Sequence, residues 1–171
     1  MNNTKGIINI LSGINRIFMA NTYSQIYLHF VFAVQNRMSL ISPQWQSDLY
    51  KYMSGIILNK GHKAYIINGM PDHVHALVSM SPKYSPSDLM HDVKQGSSLW
   101  INKNRFVAGK FSWQEGFGVF SYGKSQIGSI ADYIEKQEEH HTKRTFSEEY
   151  IEFLKLFEIE FDERYIYKPI E

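Results

Sequence analysis

The chain has no cysteine. That excludes a disulfide framework and any thiolate-held zinc or iron–sulfur site, and it fits a reducing cytoplasm. No apolar run is long enough to cross a bilayer, so no membrane partner is expected. The mildly apolar start (Ile7 to Leu11, then Ile14, Ile17 and Phe18) is interrupted by Arg16 and offers no convincing small-residue cleavage site, so it does not read as a signal peptide. Residues 1–22 read instead as a poorly ordered leader or a non-native start, with Met19 as an alternative initiator. There are no internal repeats and no low-complexity tracts. A bulk excess of one charge is missing too: the formal net charge is +1, so composition does not mark the chain as a nucleic-acid binder.

What is present is enough for one sizeable core, with 171 residues of which 43% are hydrophobic and 15% aromatic. The charges are unevenly spread. Between positions 94 and 124 the bases are Lys94, Lys103, Arg105, Lys110 and Lys124, against the single acid Glu115. From Phe146 onward acids dominate, so a near-neutral total can hide a basic face and an acidic tail, although an ordinary solvated surface is the plainer reading.

Ile26 to Val34 is β-branched and aromatic and predicts a buried strand. Ser42-Pro43 opens a helix, with serine as N-cap and proline in the first turn, and Gly61 ends it. Lys63–Asn68 and His73–Met80 read as a hairpin around the turn Gly69-Met70-Pro71-Asp72. Ser85-Pro86 opens a second helix, with Asp88 placed for a capping box. Phe111 to Tyr122 is extended, Ser125 to about His141 is a third helix, and Ser147 to Phe157 is a short fourth. The order β-α-β-β-α-β-α predicts an α+β, ferredoxin-like split βαβ sandwich with a four-stranded antiparallel sheet and an additional C-terminal helix. The sheet is expected to be open on one face. The domain spans 23–145, and the helix and acidic tail of 146–171 pack on it.

The run Pro71-Asp72-His73-Val74-His75 sits at the start of a strand. Side chains two apart leave a strand on one face, so His73 and His75 point together, opposite Val74, Ala76, Val78 and Met80, on the side expected to be open. Such a pair can be two metal ligands or two ordinary surface or hydrogen-bonding histidines. His29, among apolar neighbours, reads as structural. His62 reads as a surface residue, and His91 carries no functional signal. His140 and His141 suit a helix C-terminus, where they complement the dipole, and they could contact phosphate. On the third helix Tyr133 and Gln137, four apart, share one side of the Ile127–Ile130–Ile134 stripe. A tyrosine on the edge of an amphipathic helix ordinarily packs with its hydroxyl in water.

Taken together these features resemble the HUH single-strand tyrosine transposases of bacterial insertion sequences, the IS200-like transposase family. The likeness rests on Pro71 to His75, on Ser85 to Ser98 with Leu89-Met90 and Gly96-Ser97-Ser98, on Trp113 to Ser121, and on Tyr133 to His141. It covers roughly Ser24 to Tyr165. The resemblance implies that Tyr133 is the nucleophile, that His73, His75 and Gln137 hold Mg²⁺ or Mn²⁺, and that the substrate is single-stranded DNA with hairpins, cut through a 5′-phosphotyrosine. It also implies a homodimer with sites composed in trans, an arrangement to which an open histidine face would lend itself. After the first strand the family often carries a more basic cluster. Here the sequence is Gln35-Asn36-Arg37, which leaves Arg37 as the base available there for DNA. Lys94, Lys103, Arg105, Lys110 and Lys124 are the other candidates for phosphate contact, and Phe117, Phe120 and Tyr122 for base stacking, although strand aromatics are ordinarily core. The alternatives are a domesticated HUH endonuclease acting on repeated chromosomal palindromes, a non-catalytic hairpin-binding protein, and a plain ferredoxin-like regulatory domain.

Overall fold

The structure is a computed structural model and describes residues 23–141, 144–162 and 166. The leader 1–22, the alternative start at Met19, the side chain of His140 and most of the acidic tail lie outside the described residues.

Strand β1 (Ile26–Ala33) lies centrally, between β3 (His73–Met80) and β4 (Gly118–Tyr122), and β2 (Lys63–Met70) pairs with the far side of β3. The order β2-β3-β1-β4 is antiparallel throughout, which is the expected split βαβ sheet. Helices α1 (Pro43–Asn59) and α2 (Pro86–Asn104) start as their sequences predict. The Ser42 and Ser85 side chains accept from the backbone N–H groups of Gln44 and Asp88, each with proline in the first turn.

Strand alternation separates two cores. Leu28, Phe30 and Phe32 of β1, with Val34 just beyond it, join Val74, Ala76, Val78 and Met80 of β3 beneath α1 and α2. The Trp113 indole N–H donates to Ser97 Oγ at 2.9 Å within that layer. Full burial of side chains such as Phe30 and Phe32 contributes about 1.5–3 kcal/mol each.

The opposite face is not open, as the strand pattern alone suggested. Helices α3 (Ile127–Glu135), α4 (Gln137–His141) and α5 (Phe146–Leu156) cover it, and Tyr27, Val31, Ala33 and Leu77 are buried there. The cause is visible in β1, which is apolar on both faces. A near-continuous apolar strand calls for cover on both sides.

Two predicted elements are also shorter than expected. The extended segment from Phe111 becomes a strand only at Gly118, preceded by an isolated bridge between Val34 and Trp113. The third helix breaks at Lys136 (φ −91°, ψ 24°), separating α3 from α4. The break has a local partner: the Asn68 side-chain amide on β2 donates to the carbonyls of Ile134 and Glu135 at 2.9 and 3.0 Å. These carbonyls at the end of α3 are thereby pinned to the sheet, which fixes the neighbouring Tyr133. At the hairpin, a Cβ on Gly69 would stand 2.2 Å from the His73 carbonyl oxygen, so β2 can approach the start of β3 only because residue 69 has no side chain.

Candidate metal and nucleophile site

His73 and His75 leave β3 on the face covered by α3–α5, and both are fully buried. His73 lies between two rings, with Phe146 at 4.3 Å and His141 at 4.6 Å between centroids. Its Nδ1 meets Asp72 Oδ1 at 2.7 Å, and Arg37 holds the other oxygen of Asp72 at 3.1 Å. The Arg37 guanidinium also donates to Ser147 Oγ at 2.8 Å and lies over the Phe146 ring. One arginine therefore ties the end of β1, the histidine turn and the start of α5 together.

The residue at the centre of the site is Glu149, which sequence reasoning missed. It projects from the buried stripe of α5 between Phe146 and Phe153. Its Oε1 accepts from the Tyr133 hydroxyl and, at 3.0 Å, from the Gln137 amide. Its Oε2 lies 3.1 Å from His141 Nε2, 3.4 Å from His75 Nε2 and 3.8 Å from His73 Nε2. Ligand atoms of His73, His75 and Glu149 all lie within 4.8 Å of one another. A signal for Glu149 was available. An acid in the middle of Phe146, Tyr150, Phe153 and Leu154 on an amphipathic helix is a buried charge, and buried charges have partners.

Burial would push the Glu149 carboxyl up, but the His141 contact, the nearby His75 ring and the Tyr133 hydroxyl hold it far below the ordinary carboxylate value, so it is anionic. The Tyr133 hydroxyl is pushed well above the ordinary phenol value, first by burial and then by the Glu149 charge, so it is a neutral donor. Burial lowers the His73 imidazole to about 4, against the opposing pull of Asp72.

Among the described residues three buried polar atoms of this site have no hydrogen-bond partner: His73 Nε2, His75 Nε2 and Gln137 Oε1. Orphaned buried polar atoms are rare, and two imidazole nitrogens with an amide oxygen beside a carboxylate make a mixed nitrogen and oxygen set that a divalent cation can take. The donor set fits such an ion, and it differs from the neutral His73, His75 and Gln137 set of the sequence by one anionic oxygen.

The remaining candidates separate. Lys94 is committed to the fold, its ammonium donating to the carbonyls of Gln114 and Gly116, the latter at 2.8 Å. Arg37 is likewise bound within the site rather than presented at the surface. Lys103, Arg105 and Lys110 are exposed around the end of α2, and Lys124 is exposed with its ammonium over the Tyr27 ring. Phe117 and Phe120 are packed in the two cores, against Phe30 and Phe153 respectively. Tyr122 lines a cleft of about 550 Å³ that opens beside Tyr133, Glu149 and Phe153. His62 is a correction: it is buried, and its Nδ1 accepts from the Ser81 backbone N–H at 2.9 Å. His29 is buried as expected, but it bonds directly to His75. His141 contacts Glu149 instead of serving only as a helix end.

These geometries meet one decisive comparison: the family described as "Transposase IS200 like" matches residues 22–137. The chain belongs to the IS200-like transposase family. The ISDra2 transposase TnpA of Deinococcus radiodurans is 24% identical to it over 122 residues, covering 66% of this chain and 84% of the relative. A crystal structure of a transposase-like protein from Deinococcus radiodurans R1 superposes with a TM-score of 0.55 at 19% identity, over 69% of this chain and 95% of that one. A REP-associated tyrosine transposase bound to a REP hairpin also gives 0.55, at 14% identity, covering 71% and 72%. The fold of this IS200-like transposase is thus the tyrosine transposase fold, and family membership implies a DNA-cleaving enzyme. Among the described residues no helix is long and apolar enough to cross a membrane.

The buried histidines are expected to make the fold of the metal-free protein acid-sensitive. A histidine whose folded value lies below its unfolded value of about 6.5 contributes full stability above that value and loses it as pH falls toward the folded one. His73, at about 4 in the fold, sets the window, and His29 and His62 are shifted in the same direction by burial. In metal-free protein, His73 alone is expected to remove on the order of 3 kcal/mol between pH 7 and pH 4. Urea midpoints across that range measure it, and a flat profile would contradict it.

Proposed function

We propose that this transposase cleaves and rejoins single-stranded DNA at hairpin-marked ends, with Tyr133 as nucleophile and with Mg²⁺ or Mn²⁺ held by His73, His75, Glu149 and Gln137. The observation that carries the reading is the Tyr133 hydroxyl bonded to the same carboxylate whose other oxygen faces both histidines. A divalent cation bound there would withdraw charge from the scissile phosphate and stabilise the transition state. The chain's residues do the rest. Tyr133 forms a bond to phosphorus as the bond from phosphorus to the 3′-oxygen breaks, giving a 5′-phosphotyrosine and a free 3′-hydroxyl. The phenolic proton has an acceptor in place, Glu149 Oε1, and the departing 3′-oxygen takes its proton from solvent. Rejoining is the same exchange reversed, so no external energy source is needed.

The cleft lined by Tyr122, Ile130 and Phe153 leads to Tyr133 and gives a single strand room to enter. Likeness to the REP-bound transposase supports a hairpin substrate. Exposed Lys103, Arg105, Lys110 and Lys124 are the bases this reading assigns to phosphate. Within one chain the Tyr133 hydroxyl and the ligand atoms of His73 and His75 meet the same Glu149 carboxylate, and the expected homodimer is part of this reading. The test is incubation with single-stranded hairpin DNA from the flanking genome, and separately with repeated genomic palindromes, with Mg²⁺ or Mn²⁺. A denaturation-resistant adduct mapped to Tyr133 is expected. Flanking ends as substrate indicate mobility, and dispersed palindromes a domesticated nuclease. No adduct on any hairpin with either metal would overturn the reading.

A further inference from the structure

We propose that His29 is a positioning residue for the metal site, accepting at Nε2 a hydrogen bond from His75 Nδ1–H and so turning the His75 Nε2 lone pair toward the cation. The inference rests on the reading of His73, His75, Glu149 and Gln137 as a divalent-cation site.

His29 and His75 lie on one face of neighbouring strands, diagonal to each other in a register that pairs His29 with Leu77 and Val31 with His75. Their ring nitrogens, Nε2 and Nδ1, are 2.9 Å apart, so a single proton lies between them. If His29 supplied that proton, a neutral His75 would carry its own on Nε2, the atom that faces Glu149, and could not ligate through it. Ligation through Nε2 therefore requires the proton on His75 Nδ1 and an acceptor at His29. His29 then carries its own proton on Nδ1, a buried atom with no partner among the described residues. It is fully buried among Phe120, Tyr122 and Phe153, and the His75 contact is the hydrogen bond that offsets burial of a polar ring there.

The two metal-facing histidines are thus aimed by unlike acceptors. His73 Nδ1 has a carboxylate, Asp72, at 2.7 Å, whereas His75 Nδ1 has a neutral imidazole. A carboxylate at position 29 would place a second buried anion beside Glu149. A neutral acceptor orients His75 without that charge.

The test compares His29→Leu, which removes the acceptor, with His29→Gln, which places a carbonyl oxygen at similar reach. Mn²⁺ affinity is read by calorimetry on full-length protein without DNA, and folding by thermal melts. His29→Leu is expected to weaken Mn²⁺ binding about 10- to 100-fold, and His29→Gln to recover most of the loss, a rescue that a purely structural role would not produce. In ¹⁵N spectra of the Mg²⁺-loaded wild type, the His75 proton is expected on Nδ1. A folded His29→Leu variant that binds Mn²⁺ as tightly as wild type overturns the proposal, and so does a His75 proton found on Nε2 in the loaded protein. If both variants fail to fold, the wild-type spectrum decides. Wild type that binds no Mn²⁺ overturns the cation site and this inference together. Binding by wild type that is indifferent to His29→Leu overturns the role of His29 alone.

Discussion

Tyr133→Phe is expected to leave no covalent protein–DNA adduct and to lower strand cleavage by roughly 10⁴-fold or more, the scale seen when a nucleophile that works as part of a unit is removed. The substitution is clean because the ring does not depend on its hydroxyl for packing. It stands edge-on to Phe153 at 5.8 Å and near His75 at 6.4 Å, and both contacts survive. What goes is the hydrogen bond to Glu149 Oε1, which keeps the Gln137 amide as a donor. The cost in stability should be about 1.5–3 kcal/mol, the usual net value of a hydrogen bond to a charged group. Mn²⁺ affinity should be unchanged, because the hydroxyl is a partner of the carboxylate and is not in the proposed ligand set. A denaturing gel for the adduct, a thermal melt and a metal titration check the three parts. An adduct that persists in the phenylalanine variant would place the nucleophile elsewhere, with Tyr122 on the same cleft the first residue to examine.

The fold was legible because its signals are local. Ser42-Pro43 and Ser85-Pro86 announce helix starts by chemistry acting within three residues, and alternation along His73 to Met80 assigns each side chain a face. The third layer was harder to see. Its cover over the sheet is written in β1, where Tyr27, Val31 and Ala33 are as apolar as Leu28, Phe30 and Phe32, and a strand with two apolar faces has two neighbours. Family resemblance pointed to four residues, His73, His75, Tyr133 and Gln137, and the fold places Glu149 against all four. Glu149 itself was hidden by its surroundings in the sequence. It stands among Glu148 and Glu152, which face solvent, and an acid beside acids looks like surface until the helix phase puts it between Phe146 and Phe153. Arg37 and Lys94 show the reverse case. Each was read as a candidate for phosphate contact, and each is bonded to groups remote in sequence, Asp72 and Ser147 for the first and the carbonyls of Gln114 and Gly116 for the second. No local pattern carries such pairings.

Glu149→Gln is expected to produce the second large effect, because it changes charge with little change in shape. The amide oxygen can still accept from Tyr133, so the helix stripe and the cleft should survive. In metal-free protein the stability change should be small, since the variant loses charge-assisted hydrogen bonds but also loses the cost of burying an anion. What it cannot replace is the negative oxygen that faces His73 and His75 at 3.8 and 3.4 Å. Mn²⁺ affinity should fall by more than the roughly 10- to 100-fold that loss of an outer-shell partner costs, because a direct anionic ligand is lost. Cleavage should fall further than metal occupancy explains, by roughly another 10²-fold, because the same side chain is the acceptor for the Tyr133 proton. Saturating Mn²⁺ separates the two losses: it restores occupancy but leaves the proton-acceptor deficit in the cleavage rate. The sign of the change is as informative as its size. Should Glu149→Gln cleave faster than wild type, the carboxylate would be a plug that competes with metal or phosphate for the histidines, and its bonds to Tyr133, Gln137 and His141 would describe a latched resting state instead of a ligand set.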